Sequence, residues 1–257
     1  MKKRIVVAAI LTILWAACLT PAHAPNAQTT DLLQIVGAGT PETIQAAINN
    51  GADVNARDYG GTVLMYAAAF NQNPEVITTL LKAGANLNAQ DKDGSTALMY
   101  AAAFNQNPEV IATLLKAGAD FRVKNKAGVT VLMFAATHNQ NSEVIATLLK
   151  AGADLTAQDL GGGTVLMYAA AFNQNPEVIT TLLKASADID AQDENGVTAL
   201  MLAVTYSQNP EVITRLLEAG VEVKTKSNEG KTAFDYAKDN ENIEGTDAYR
   251  QLLDASK

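Results

Sequence analysis

The feature that most constrains the fold of this chain is a sequence that recurs every 34 residues. Five regular copies occupy 62–95, 96–129, 130–163, 164–197 and 198–231, and each of them begins with threonine. A period of this length is typical of stacked-repeat proteins, in which each unit buries its apolar side only against its neighbours. We therefore expect an elongated array with a long exposed surface and without a catalytic cleft.

Each copy predicts two helices that are separated by a short loop. In the copy at 96–129, Thr96 can cap a first helix, and Asn107 followed by Pro108 can begin a second one, because these residue types suit the cap and the first turn. Gly118 is placed to end the second helix in a left-handed conformation. The polar stretch that follows predicts an extended hairpin that reaches toward the next copy.

Helix, loop, helix, glycine and hairpin in this order resemble the ankyrin repeat. The family's Thr-Pro-Leu-His start corresponds to Thr-Ala-Leu-Met at 96–99, and its Gly-Ala-Asp-Val-Asn ending is found at 51–55. The resemblance covers about residues 30–254. It implies an all-α ankyrin-repeat solenoid of helix-turn-helix units with short β-hairpin-like turns. It also implies about seven repeats, including an irregular first cap (30–61) and last cap (232–254).

The sequence departs from the family pattern in a few places. Methionine takes the family's histidine position, so the hydrogen-bond ladder of those histidines is absent; the residues are Met65, Met99, Met133, Met167 and Met201. The loop at 105–108 is one residue longer than usual, which explains a period of 34 instead of about 33. Ser186 replaces the glycine that ends the second helix in the other regular copies, and we expect backbone strain there.

The start of the chain has the features of an export signal. A basic beginning precedes an apolar run of 13 residues, which is short for a membrane span of roughly 20 residues. We predict a signal peptide at 1–24, cleaved after Ala24 or near Ala27, and hence a periplasmic protein or, alternatively, a secreted one. A linker at 25–29 would precede a single ankyrin-repeat domain at 30–254.

Cysteine content and charge restrict the partners. Cys18 is the only cysteine and lies within the predicted signal peptide, so membrane attachment is expected only if Cys18 is lipidated. The net charge is −8, and it becomes −11 when the predicted signal peptide is removed. Because such a surface repels phosphate groups, we expect neither a nucleic acid nor an anionic membrane surface as a partner.

Residues that could support catalysis are scarce. His138 is the only histidine after the predicted signal peptide, which also holds the only cysteine, so a nucleophile–histidine arrangement or a zinc site lacks side chains. Asp91, Asp159 and Asp193 occupy turn positions of the repeat and lack the ligand spacing of a calcium loop. We therefore expect a protein that is not an enzyme, with no catalytic residue, no metal and no small-molecule cofactor.

Two periodic features, an aromatic column and a polar loop, are candidates for partner recognition. The first lies at the end of each first helix, a region that forms the concave partner-binding surface in ankyrin proteins; its residues are Phe70, Phe104, His138, Phe172 and Tyr206. These rings could anchor an interface, or they could pack on the neighbouring repeat, and the sequence leaves both interpretations open. A companion column is expected nearer the core; its residues are Tyr66, Tyr100, Phe134, Tyr168 and Leu202.

The Asn-Gln-Asn loops between the helices form a second periodic feature, at 71–73, 105–107, 139–141 and 173–175. Their side-chain amides could form a hydrogen-bonded ladder that stiffens the stack and caps helices, or they could contact a ligand.

The hairpin tips vary most between copies, and specificity is usually encoded at such positions. The tip residues that we assign to partner binding are Tyr59, Lys92, Asp93, Ser95, Lys126, Leu160, Glu194 and Asn195. Lys92, Arg122 and Lys126 form a local positive area on an acidic protein, which would suit an acidic area on the partner.

Together these features predict a non-enzymatic protein-interaction module that binds a protein partner through the concave face of the solenoid. Two alternatives stay open at this point. One is a secreted effector that engages a host protein. The other is an envelope stress factor that protects against peroxide, which the resemblance permits although no cysteine or cofactor motif supports direct peroxide chemistry.

Overall fold

The computed structural model describes residues 31–257, which form two parallel rows of helices. The first helices of the successive units are α1 (Leu32–Ile35), α3 (Val63–Phe70), α5 (Ala97–Phe104), α7 (Val131–His138), α9 (Val165–Phe172), α11 (Ala199–Tyr206) and α13 (Ala233–Ala237). The second helices are α2 (Pro41–Asn49), α4 (Pro74–Lys82), α6 (Pro108–Lys116), α8 (Ser142–Lys150), α10 (Pro176–Lys184), α12 (Pro210–Glu218) and α14 (Asp247–Ala255). The predicted signal peptide, linker and Cys18 lie outside the described residues.

The stacking order confirms the predicted solenoid. Each first helix packs on the first helix of the next unit, each second helix packs on the next second helix, and the two helices of a unit pack on each other. Extended structure in the described part of the chain consists of isolated antiparallel bridges between the two arms of a hairpin, such as Gln90 with Thr96. No described helix has the length and apolar character needed to cross a membrane.

The helix ends follow the predicted capping chemistry. The Thr96 hydroxyl accepts a hydrogen bond from the Met99 amide at 3.4 Å, and the Asn107 side chain accepts one from the Glu109 amide at 3.0 Å. Pro108 occupies the first turn of α6, where its missing N–H costs nothing. Glu109 places a negative charge at the positive end of the helix dipole. The same caps recur in the other regular units.

The first-row helices are buried on nearly all sides. In α7, every residue from Val131 to Thr137 is buried, and the column of methionines at the family's histidine position is only 0–2% exposed. Alanines such as Ala101 and Ala102 are fully buried, and their small side chains let neighbouring helices approach closely. In the second row, only one face is buried, for example Val110, Ile111 and Leu114 in α6. Each unit therefore depends on its neighbours to cover its apolar surface.

The first asparagine of each Asn-Gln-Asn loop joins two units. The side-chain amide of the buried Asn105 donates to the carbonyls of Ala68 and Asn71 in the preceding unit, at 2.9 Å each. Its oxygen accepts from the Asn107 amide at 2.9 Å, which fixes the loop. The equivalent bonds are made by Asn71, Asn139 and Asn173. The predicted amide ladder is thus confirmed as a structural feature.

The ladder is interrupted in the last regular unit. Ser207 replaces asparagine there, and its hydroxyl donates to the Asn209 carbonyl of its own loop. The next amide makes one bond across units instead of two, since Asn240 donates only to the Val204 carbonyl of the preceding unit, at 2.8 Å. The second loop asparagine is unaffected, because Asn209 still donates to the Gln174 carbonyl at 2.8 Å.

The hairpins are held by their aspartates and by main-chain bonds to the next hairpin. Asp91 accepts from the amides of Asp93 and Ser95 at 2.8 Å each, which confirms that it forms a turn. The Lys126 amide then donates to the Asp93 carbonyl of the preceding hairpin at 2.9 Å. Gly128 has a positive φ of 81°, and a side chain there would lie 2.8 Å from the Leu160 nitrogen, so only glycine fits.

Ser186 shows the strain that its position predicts. Its φ is +71°, and it is the one non-glycine residue with a positive φ in the range 31–257. The equivalent glycines have φ between 83° and 94°; they are Gly84, Gly118, Gly152 and Gly220. Since no atom lies within 4 Å of an added Cβ at three of these sites, the cost at Ser186 comes from the backbone rather than from crowding.

We predict that Ser186→Gly raises the free energy of unfolding by about 1 kcal/mol, because glycine adopts the left-handed region without the steric cost of a Cβ. Urea-induced unfolding followed by circular dichroism measures this difference. Ser186→Ala is the matched control and should give no such gain, since alanine keeps the Cβ. A less stable Ser186→Gly variant would contradict this explanation of the strain.

Candidate protein-binding surface

The predicted aromatic column forms two stacks of rings along the first-row helices. The Phe70 and Phe104 rings are stacked with centroids 6.3 Å apart, and the Phe104 and His138 rings with centroids 5.5 Å apart. Phe172 and Tyr206 form the second stack, at 6.2 Å. The rings therefore pack on the neighbouring units, which is one of the two interpretations that the sequence left open.

The same rings also present surface to a partner. Phe70 is 44% exposed and Tyr206 is 47% exposed, whereas the three rings between them are partly buried. Stacking fixes the orientation of these side chains, so a partner would meet a surface that is already ordered. The role of the column in binding stays a prediction, and its two outer rings offer the largest contact area.

The companion column ties the first-row helices to the hairpins. The Tyr100 hydroxyl lies 2.9 Å from the Asp91 carboxylate and 2.8 Å from the Gly60 carbonyl of the preceding hairpin, and shares its one proton between these two acceptors. The Tyr168 hydroxyl donates to Asp159. Burial, together with the neighbouring carboxylate, raises the pKa of Tyr100 and Tyr168, so both hydroxyls remain protonated donors.

These tyrosine–aspartate bonds were missed in the sequence, although a signal was present. Asp91 precedes Tyr100 by nine residues, and Asp159 precedes Tyr168 by the same number. In the unit that carries Phe134, which has no hydroxyl to satisfy, the equivalent hairpin position is Asn125. The shared spacing of nine residues between aspartate and tyrosine in these two units could have indicated the contact, whereas the paired change to Asn and Phe is a weaker signal, because Asp193 is kept in the unit that carries Leu202.

The hairpin tips lie at the edge of this surface opposite the aromatic column, because each hairpin precedes the first residue of a first-row helix and each ring is the last residue of such a helix. Tyr59 is 99% exposed and Leu160 is 73% exposed. The charged and polar tip residues Lys92, Asp93, Lys126, Glu194 and Asn195 are also exposed. Ser95 differs from them: it is only 5% exposed, and its amide donates to Asp91, so it supports the hairpin from inside. The structure thus brings together all the predicted tip residues except Ser95.

The surface consists of an uncharged floor, which is formed by the first-row helices of the regular units, and a charged edge, which is formed by the hairpin tips. The helices α3, α5, α7, α9 and α11 contain no aspartate, glutamate, lysine or arginine. His138 is the only residue with a titratable imidazole on this floor, and burial lowers its pKa, which keeps the ring neutral near pH 7. On this surface, charged side chains are therefore confined to the hairpins. Within residues 31–257, no group of three or more His, Cys, Asp or Glu is placed to hold a metal ion.

The position of His138 in the column makes stability depend on pH. Its pKa is lowered in the folded state, so as the pH falls below the ordinary value of about 6.5 the unfolded chain binds the proton first. The contribution of His138 is therefore fully present above that pH and is lost as the pH falls toward the lowered folded-state pKa. We predict that His138→Phe, which restores the ring found in the sister copies, gains stability relative to the natural chain as the pH falls from 8 to 5.

Urea unfolding of the two proteins at pH 8, 7, 6 and 5 measures this difference, and carboxylates that titrate equally in both proteins cancel in it. A difference in free energy that stays constant over this range would contradict the assignment of a buried, neutral imidazole.

Comparison with known proteins identifies the repeat. The family model described as Ankyrin repeats (3 copies) matches residues 14–91, 68–159 and 166–256, and the model described as Ankyrin repeats (many copies) matches 140–183. The mitochondrial disaggregase of Bos taurus is 33% identical over 83 residues, which is 32% of this chain and 12% of that protein.

A solved structure supports the same fold. The crystal structure of the ankyrin repeat domain of Bcl-3, a unique member of the IkappaB protein family, superimposes with a TM-score of 0.63. The similarity covers 88% of this chain and 97% of that chain at 24% sequence identity, and at this identity it is informative about the fold alone. Because the family models match most of the sequence, this chain belongs to the ankyrin-repeat family.

Proposed function

We propose that this chain is an exported, non-enzymatic protein that binds a protein partner through the face built from its first-row helices and hairpin tips. Ankyrin repeats are protein-interaction modules, and in this family that face is the concave partner-binding side. The observation that carries the proposal is the aromatic column, because its rings are ordered by stacking and yet remain accessible at Phe70 and Tyr206.

Three physical properties suit this surface for binding. The stacked rings have little rotational freedom left to lose, so docking costs less conformational entropy than it would on a flexible surface. Aromatic side chains also supply much of the binding energy at protein interfaces. The uncharged floor beneath them carries no side chain that would need desolvation as an ion.

The site of action that we propose is the periplasm, with secretion as the alternative. The support for export is the basic start and apolar run at the beginning of the sequence. Fractionation of cells that produce the full chain with a carboxyl-terminal tag, followed by detection of the tag in cytoplasm, periplasm, membranes and medium, tests this part. Tag confined to the cytoplasm would contradict export, and tag in the medium would favour a secreted effector.

The binding surface is tested by a paired substitution. We predict that Phe70→Ala with Tyr206→Ala reduces capture of the partner from the envelope fraction by about tenfold or more. The matched control is Lys116→Ala with Lys184→Ala, which removes exposed side chains from the second-row helices. Circular dichroism establishes that both variants keep their helices. Undiminished capture by the aromatic variant would remove the column from the binding site.

A further inference from the structure

The hairpin tips of three successive units carry a positive, an apolar and a negative side chain in that order. These tip residues are Lys126, Leu160 and Glu194, and all three are exposed. None of them takes part in an ion pair among residues 31–257. The charge along the edge of the proposed binding face therefore changes from positive to negative, whereas the first-row helices of the regular units carry no charged side chain.

The three tips are held in fixed register by their main chains. The Leu160 amide donates to the Ala127 carbonyl at 3.1 Å, and the Glu194 amide donates to the Gly161 carbonyl at 3.0 Å. A side chain placed on the intervening Gly162 would meet the Glu194 nitrogen at 3.0 Å, so the tips lie against each other. Neighbouring hairpins thus present their side chains as one continuous row.

Residues behind the tips strengthen the charge at both ends. Arg122 and Lys124 are exposed on the hairpin of Lys126, which makes this hairpin basic although Asp120 lies near Arg122 at 3.9 Å. The Lys124 ammonium group donates a hydrogen bond to the Gln158 carbonyl at 3.0 Å, and this bond leaves its positive charge in place.

The hairpin of Glu194 is acidic throughout. Asp188 and Asp190 are exposed on it, Asp193 forms its turn, and no lysine or arginine lies between 185 and 214. The uncharged tip of Leu160 separates this acidic hairpin from the basic one that carries Lys126.

We propose that the partner docks a polypeptide segment whose side chains run acidic, apolar and basic along the row from Lys126 through Leu160 to Glu194. This proposal rests on the function proposed above and names the chemistry and direction of the partner at that site. Opposite charges placed over Lys126 and Glu194 would fix the orientation of the segment, and an apolar residue would cover Leu160.

The fold also sets the spacing of these groups. Packed helices lie about 8–10 Å apart, so two units separate Lys126 from Glu194 by roughly 16–20 Å. An extended chain rises about 3.3 Å per residue, so the acidic and basic residues of an extended segment would be about five or six positions apart.

Selection from a random 16-residue peptide library displayed on phage tests the proposal with the full chain as the target. The expected peptides contain an acidic residue, then an apolar residue, then a basic residue, in one direction only. Lys126→Glu with Glu194→Lys inverts the row, and its selection should yield the reverse charge order. A peptide selected on the natural chain should bind this variant about tenfold more weakly at low salt.

The control is Lys116→Glu with Glu244→Lys, which makes the same change of charge away from the tips and should leave binding of the selected peptides unchanged. The proposal is overturned if the inverted variant selects peptides of the same charge order as the natural chain. Peptides that lose affinity for the Phe70→Ala, Tyr206→Ala variant but bind the inverted variant equally would overturn this inference while supporting the proposed function. Failure to enrich any peptide on the natural chain would count against both.

Discussion

The structure depends on a buried asparagine amide that bonds four of the five regular units to the unit before them. The last carbonyls of an α-helix have no partner within the helix, and in this array the carbonyl of Ala102 near the end of α5 receives the Asn139 amide at 2.9 Å. A second bond reaches the Asn105 carbonyl at 2.8 Å. Since an unsatisfied buried carbonyl is costly, the amide sets both the register and the distance at which units can stack.

The same stacking that stabilises the array also builds the proposed binding face. Because the first-row helices of the five regular units are buried against each other, the only exposed residues of these helices are Phe70 and Tyr206, each at a helix end. In the proposed function, residues of the column serve both stability and recognition, whereas the exposed hairpin tips serve recognition and contribute little to the core. This division explains how the tips can vary in charge from Lys126 to Glu194 while their main-chain bonds stay the same.

Much of the fold could be predicted because the same helix-capping and turn residues recur at the same positions in successive copies. The caps at Thr96 and Asn107 follow from local rules that need no knowledge of neighbours. Contacts between units were harder to predict, since they join residues far apart in the sequence: the Tyr100–Asp91 bond and the burial of Ser95 depend on how a hairpin folds back over a helix. Whether a ring packs or binds could not be predicted from its position at a helix end; the structure shows the packing.

The central claim is that the loop asparagine couples neighbouring units, and the free energy of unfolding of Asn139→Ala tests it most directly. The substitution leaves the carbonyls of Ala102 and Asn105 without their donor, so we expect a loss of about 3 kcal/mol. Gln140→Ala, in the same loop but exposed, is the control and should change stability by less than about 0.5 kcal/mol. Equal, small effects of the two substitutions would contradict the claim that this amide holds the units together.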